Sequence, residues 1–333
     1  MLPRLDYQEK VDGPDHDKSI WWFLDKSLEL HKAPVLEILL IKLGPGCPSD
    51  ADVGKWVTKA VDRRLVELKF KLCWSTGPTR LPKSLYTCET LEELTLSHKI
   101  LVDFPSSSCL PSLLTLKLFY VVYKDEASLV SFLAIDTPAV IDFFIVDFSR
   151  DSWSIENMPC LNEAYIDVWS FPDIDKSKTS ISRVLSLELF MTTEELVRCS
   201  AINFSRLIKL SICPWKSDWL GPLLRLLENA PKLKDLLVNY EYAFHPVERI
   251  PLSWNQPRSI PRCMSSHLEI FEYREYGDRV EEEEFLTYIL ANSMCLKTAT
   301  VSVRPGVLKK KELTIEKLSN IPRVSTTCQL LLK

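Results

Sequence analysis

Clustered carboxylates are the residues of this sequence with the clearest capacity for chemistry. Two glutamate pairs, at 92–93 and 194–195, and a run of four at 281–284 carry the groups that acid–base catalysis or a hard cation would need. The run stands directly before an apolar stretch that begins at Phe285, and acidic residues stabilise the first turn of a helix. We therefore predict a helix start at 281–284 and assign no catalytic function to the carboxylates.

Cysteine, histidine and glycine are arranged in ways that argue against metal and cofactor sites. The ten cysteines include no C-x-x-C motif, and only His267, four residues after Cys263, brings two such ligands close together in sequence. The eight glycines form no phosphate-binding loop, and no serine lies in a G-x-S-x-G elbow. We expect free core thiols, no metal and no cofactor, and the sequence does not indicate an enzyme.

Charge and hydropathy limit the class of partner. With 41 basic and 45 acidic residues the net charge is −4, so the chain has no general attraction for nucleic acid. No apolar stretch is long enough to predict a membrane span, and the first residues lack the apolar core of a secretion signal. These features predict an intracellular protein of the cytoplasm or nucleus.

An internal repeat accounts for most of the apolar residues. The pattern apolar-x-x-apolar-x-apolar occurs eleven times at a mean interval of about 26 residues, within the range of leucine-rich repeats. The repeats start at Val35, Leu65, Leu91, Leu113, Val140, Leu161, Val184, Leu207, Leu233, Leu268 and Leu296. The last two apolar positions of each repeat, Ile38 and Leu40 in the first, alternate as on a short strand with one buried face.

The repeats predict an α/β leucine-rich-repeat solenoid, a curved parallel sheet with helices and loops outside. Amphipathic spacing at 52–61 and 221–227, and acidic residues at the start of 125–133, predict helices between the strands. The expected parts are an N-terminal capping segment at 1–34, irregular repeats at 35–255 and a C-terminal domain at 256–333 that continues the solenoid.

The two ends of a solenoid must cover their cores. At the N-terminal end we expect a helix at 18–31 that covers the first repeat. Its covering side chains are expected to be Trp22, Leu24, Leu28 and Leu30. At the other end the cap is expected to be formed by Leu313, Ile315, Leu318 and the apolar run 330–332.

Several stretches resemble one plant protein family. The strings IPRCMSSHLEIFEYREYG (260–277), CLKTAT (295–300) and IPRVS (321–325) resemble the FBD domain of plant F-box proteins. Upstream, SLELHKAPVLE (27–37), DRRLVEL (62–68) and LPKSLYTCETL (81–91) are similar to the leucine-rich region of the same family. The resemblance covers nearly the whole chain and implies the same repeat fold with an FBD-like C-terminal cap.

The resemblance also implies a function. Members of this family are substrate-recognition subunits of cullin-RING ubiquitin ligases, in which an F-box binds a Skp-type adaptor and the repeats bind the substrate. Residues 2–6 resemble the strand that follows an F-box, so we expect this chain to lack that module and not to bind the adaptor. A substrate receptor and a free-standing scaffold or competitor both remain open, with a protein as partner in each.

Strand alternation predicts a partner site on the concave face of the sheet. If Leu116 and Leu118 face the core, Phe119 faces outward, and the same count applies to the next three strands. The apolar residues expected in this patch are Phe119, Phe144, Val146, Tyr165 and Phe190. The acidic residues expected at its rim are Asp142, Glu163, Asp167 and Glu188. We expect a partner with apolar anchors and basic neighbours, unless the rings simply cover one another.

A further alternative is a small-molecule receptor, since the family resembles some plant hormone receptors of the F-box leucine-rich type. An acidic ligand would require basic anchors on the inner face of the strands. The bases expected there are Lys69, Lys71, Lys117, Lys209 and Arg274.

Overall fold

The computed structural model describes two compact units. One comprises residues 1–161 and 175–180, and the other comprises 162–174 and 181–333. The residues described within them are 3–9, 20–46, 52–73, 77–102, 108–123, 137–148, 155, 158–169, 174–214, 218–240, 252–304 and 311–333. The helix predicted at 125–133 lies outside the described residues.

The first unit contains a parallel sheet whose strands follow one another in chain order. Its strands are β1 (Arg4–Gln8), β2 (Ile38–Leu43), β3 (Glu67–Leu72), β5 (Glu93–His98), β7 (Thr115–Phe119) and β9 (Asp142–Asp147). A second parallel sheet is formed by β4 (Thr79–Arg80), β6 (Ile100–Val102) and β8 (Val122–Tyr123). The connections contain α1 (Trp21–Leu30), α2 (Val53–Val61) and a 3₁₀-helix (Lys83–Thr87).

The second unit repeats this plan with further parallel strands in chain order. They are β10 (Glu163–Val168), β11 (Ser186–Met191), β12 (Lys209–Pro214), β13 (Asp235–Asn239), β14 (Ile270–Tyr276), β15 (Thr298–Val303) and β16 (Gln329–Leu332). The helices of this unit are α4 (Thr193–Cys199), α5 (Leu220–Glu228), α6 (Arg262–Ser266), α7 (Val280–Asn292) and α8 (Lys311–Ser319), whereas α3 (Ile174–Ile181), which follows β10 in the chain, lies mostly in the first unit.

Each of the eleven predicted repeats contributes one strand, which confirms the leucine-rich-repeat fold. Within each unit, neighbouring strands pair so that the repeat positions lie side by side: Leu68 lies opposite Leu94, and Leu94 opposite Leu116. The side chains at these positions are buried. Burying apolar surface in such rows is the main favourable term that holds each sheet against its outer layer.

The first repeat differs from the prediction by one residue. Leu39 and Ile41, not Ile38 and Leu40, lie opposite Leu68 and Phe70 and occupy the buried row. A shift of one residue moves every side chain of a strand to the other face. Lys42 therefore lies on the same face as Leu40, the face of the sheet that points away from the core.

Two predicted helices are confirmed, and local chemistry explains where they begin. The side chain of Asp52 caps α2 by accepting a hydrogen bond from the Lys55 backbone N–H over 2.9 Å, while Trp56 and Val57 are buried. The helix predicted at 221–227 is α5, whose apolar residues face the core.

The glutamate run at 281–284 begins a helix, as predicted, and one of its members has a further structural role. Glu281, Glu282 and Glu283 occupy the first turn of α7. Glu282 is fully buried, and its carboxylate accepts hydrogen bonds from the backbone N–H groups of Gly277 (2.9 Å) and Arg279 (3.2 Å). The acidic run is thus a helix cap with one buried carboxylate.

The predicted end caps are correct only in part. On α1, Leu24 and Leu28 are buried, whereas Trp22 and Leu30 are 60% and 70% exposed. Strand β1 pairs with β2 beyond the first predicted repeat, so this end is covered by a paired strand as well as by α1, and the predicted capping helix did not include that strand.

At the C-terminal end, Leu318 is buried, but Leu313 is 67% exposed. The apolar run 330–332 lies in β16, which extends the sheet beside β15. The cap here is therefore a paired strand together with part of α8.

Candidate functional site

The side chains that alternate with the buried leucines form what we call the outward strand face of each sheet. In the first unit, Thr115, Lys117 and Phe119 of β7 lie opposite three residues of β9. Those residues are Asp142, Phe144 and Val146, in the same order. The predicted apolar residues of this unit are therefore brought together on two adjacent strands.

Polar and aromatic groups are interleaved on this part of the outward strand face. The Lys117 ammonium lies 4.8 Å from the centroid of the Phe144 ring, which is a cation–π arrangement. The Thr115 hydroxyl donates to a carboxylate oxygen of Asp142 over 3.4 Å. A partner would meet two half-buried rings, Phe119 and Phe144, beside a cation.

Val146 does not have the exposure that alternation predicts. Its side chain is buried, with 7% of its surface exposed, and it lies directly opposite Phe119. The backbone N–H of Tyr120 donates to the Val146 carbonyl over 2.8 Å, which holds the end of β7 close to β9. Val146 therefore supports the rings and offers little contact surface of its own.

In the second unit the predicted rings pack on each other. Tyr165 and Phe190 have ring centroids 5.0 Å apart and planes inclined by 38°. Phe190 is only 4% exposed, whereas Tyr165 is half-buried. The expectation that both rings are exposed is wrong for Phe190, because a neighbouring ring packs against it.

The predicted acidic residues of the second unit lie on its outward strand face, where burial changes their titration. Glu163 is exposed, whereas burial raises the pKa of Asp167 from 3.8 to about 6. Burial also raises the pKa of Glu188 and of Asp235, although Lys209 opposes the shift in both cases. Proton uptake by Asp167 makes the charge of this face depend on pH around 6.

Sequence analysis missed a cavity of about 380 Å³ on the outward strand face of the first unit. Its lining includes Lys42, Lys69 and Lys71, and we call it the basic cavity. Lys69 and Lys71 were expected on this face, but Lys42 was not, because the predicted register of β2 turned it toward the core. The alternation of Lys42 with Ile41 and Leu43 was the available signal.

Other site types find little support in the part of the chain that the structure describes. Among those residues, no group of three or more histidine, cysteine or acidic side chains could hold a metal ion. The nine described cysteines are free thiols, and burial raises the pKa of Cys199 to about 12, so this thiol remains protonated. None of the helices described has the length and apolar character to cross a bilayer.

The fold and the interleaved outward face define a leucine-rich-repeat protein with a specialised C-terminal region. The sequence model of the FBD domain matches residues 256–301, which contain β14, α7 and most of β15. The chain belongs to the family of FBD-associated F-box and leucine-rich-repeat proteins, as its similarity to curated relatives shows.

Three such relatives, all from Arabidopsis thaliana, illustrate the range of similarity. A protein described as an FBD-associated F-box protein is 49% identical over 393 residues, covering 100% of this chain and 89% of the relative. A protein described as an F-box/FBD/LRR-repeat protein is 39% identical over 399 residues, covering 100% and 83%. Another F-box/FBD/LRR-repeat protein is 33% identical over 387 residues, covering 99% and 89%.

Proposed function

We propose that this chain is the substrate-recognition part of a receptor of the cullin-RING ubiquitin ligase type. In this proposal a protein partner binds the outward strand face of the repeats, and the location is the cytoplasm or nucleus. The names of the relatives support a role in protein interaction and give no indication of an enzyme.

The observation that carries the proposal is the contact between Lys117 and Phe144 on adjacent strands of the first unit. Aromatic rings provide much of the binding energy at protein interfaces because they bury large areas, and here the Lys117 ammonium places a charge beside the Phe144 ring. Phe119 and Phe144 are held by strands, so little conformational entropy would be lost when a partner covers them.

The first experiment tests membership of a ligase. The tagged full chain is co-expressed with a Skp-type adaptor and a cullin, and the three are tested for co-purification. Recovery of all three supports the ligase receptor, and it would show that the expectation of no adaptor binding is wrong. Recovery of a protein partner without adaptor or cullin would instead support the free-standing scaffold or competitor.

The second experiment tests the face that binds the partner. Phe119→Ala and Phe144→Ala should each weaken binding to a captured partner by about tenfold or more if these rings are interface anchors. Leu30→Ala is the matched control, because Leu30 is an exposed apolar residue on α1. Wild-type binding by both phenylalanine variants, with their folds intact, would contradict the proposed face.

A further inference from the structure

The basic cavity is built from the outward strand face of consecutive repeats. Residues of β1, β2, β3, β5 and β7 line it, and none of the lining residues is acidic. Its volume of about 380 Å³ falls within the range of pockets that receive a small molecule or a few side chains.

Two lysines of this cavity are neighbours without a counter-charge. Lys42 lies directly opposite Lys71 in the register of β2 and β3, where adjacent strands are about 4.8 Å apart. Within the part of the chain that the structure describes, neither lysine forms an ion pair. Like charges placed opposite each other destabilise a sheet. An anion bound between them would relieve this repulsion.

The third lysine differs from these two. Lys69 forms ion pairs with Glu67 and, over 4.0 Å, with Glu93. Its charge is therefore partly offset within the protein, and Lys42 and Lys71 are the lysines of the cavity that form no ion pair among the described residues.

The wall of the cavity beside these lysines is aromatic. The rings of His98 and Tyr120 meet edge to face with centroids 5.7 Å apart. The backbone of both residues is left-handed, with φ of 67° and 54°. Phe119 completes the wall, and the buried hydroxyl of Ser97 contacts His98 Nδ1 over 2.6 Å. Such a wall suits an apolar side chain next to the anionic group.

We propose that the basic cavity binds an acidic segment of a partner protein. An aspartate or glutamate carboxylate lies between Lys42 and Lys71, and a neighbouring apolar side chain packs on Phe119 and Tyr120. This proposal rests on the proposed function, because it specifies the chemistry of the partner. It reverses, for the first unit, the sequence-based expectation of basic residues in the partner.

His98 provides a reporter inside the cavity. Burial lowers its pKa, and the nearby charge of Lys71 lowers it further. A carboxylate bound beside Lys71 should therefore raise the pKa of His98, and so should Lys71→Gln in the absence of any ligand. The ring resonances of His98, assigned with a His98→Gln variant, measure both shifts.

The experiment uses the full chain and two short synthetic peptides. One peptide carries a phenylalanine flanked by glutamates, and the other carries glutamines in their place. Binding is measured by fluorescence anisotropy at low and high salt, and inorganic phosphate is tested as a free anion. The variants are Lys42→Gln and Lys71→Gln, with Lys83→Gln as a matched control at an exposed lysine of the 3₁₀-helix.

We expect the glutamate peptide to bind more tightly than the glutamine peptide and to lose affinity at high salt. Each cavity variant should weaken its binding by about tenfold, the value of one charge-assisted hydrogen bond, while Lys83→Gln should not. Equal binding of the two peptides, or an unchanged affinity in both cavity variants, would overturn the proposal. A response of His98 to phosphate but to neither peptide would also overturn it, in favour of a small-anion site.

The same variants separate this proposal from the proposed function. If a captured protein partner binds Lys42→Gln and Lys71→Gln as tightly as wild type, the acidic-segment proposal fails while the receptor function stands. If wild type binds the glutamate peptide in the cavity but captures neither a protein partner nor the ligase subunits, the proposed function fails.

Discussion

The hydroxyl of Tyr273 on β14 donates a hydrogen bond to the carboxylate of Glu282 on α7 over 3.0 Å, in the interior of the FBD region. Both residues are fully buried. With the backbone donors of Gly277 and Arg279, this bond gives the Glu282 carboxylate three hydrogen-bond donors. The turn from β14 into α7 therefore depends on one buried acidic side chain.

Glu282→Gln should destabilise the protein by roughly 1.5–3 kcal/mol, because a neutral amide oxygen accepts more weakly from the backbone N–H groups of Gly277 and Arg279, and its NH₂ group would face the Tyr273 hydroxyl, which loses its acceptor. Glu284→Gln is the matched control, since Glu284 is an exposed member of the same run. Urea unfolding measures both. A Glu282→Gln variant as stable as Glu284→Gln would show that the buried carboxylate is dispensable.

Asp167 should make stability depend on pH. Its folded-state pKa of about 6 lies above the ordinary value of 3.8 because of burial, so the protonated form favours the fold. The contribution is fully present below about pH 4 and is lost as pH rises through about 6. Asp167→Asn should remove this loss and flatten the profile of unfolding free energy against pH. Glu163→Gln, at an exposed acid on the same strand, should leave the wild-type profile in place.

The register of the first repeat can be tested by two adjacent substitutions. Leu39→Ala should cost roughly 2–5 kcal/mol, because Leu39 is fully buried in the leucine row. Leu40→Ala should cost clearly less, because its side chain borders the basic cavity. Thermal or urea unfolding distinguishes the two, and the reverse order of effects would support the register that the sequence pattern predicted.

The two predicted aromatic partner residues of the second unit, Phe190 and Tyr165, should contribute differently to the stability of the fold. Phe190→Ala should destabilise the fold by roughly 3–5 kcal/mol, as expected for a buried phenylalanine. Tyr165→Ala should cost less, because that ring is only half-buried. Comparing the unfolding free energies tests this division. If both substitutions lowered the unfolding free energy only slightly, the burial of Phe190 would not contribute to stability as expected.

Most of the repeat fold could be predicted because leucine spacing determines it. Where apolar and polar residues alternate strictly, as in β7 with Leu116 and Leu118, the pattern indicates which side chains face the core. In β2 the residues 38–41 are all apolar, so both phases of the alternation look equally buried, and the register was wrong by one residue. Residues 2–6 resemble a strand, but the pairing of β1 with β2 was not predicted, because the repeat pattern has no match before Val35.

The surface was less predictable than the core, because it depends on contacts between strands. The positions of Phe119 and Phe144 follow from alternation, and their role in partner binding stays a prediction. The burial of Phe190 depends on where the ring of Tyr165 lies, and the basic cavity depends on the register that places Lys42 beside Lys71. Both contacts join residues of two different strands, so the spacing of apolar residues within one strand does not predict them.

His98 and Tyr120 adopt a left-handed backbone conformation, which lowers stability but places their side chains in the wall of the basic cavity. Glycine adopts this backbone conformation without steric cost, whereas other residues pay of order 1–3 kcal/mol. The chain has only eight glycines and places none at these two positions. It keeps large side chains where the smallest residue would fold more easily, so the aromatic wall of the basic cavity is maintained against a local energetic preference.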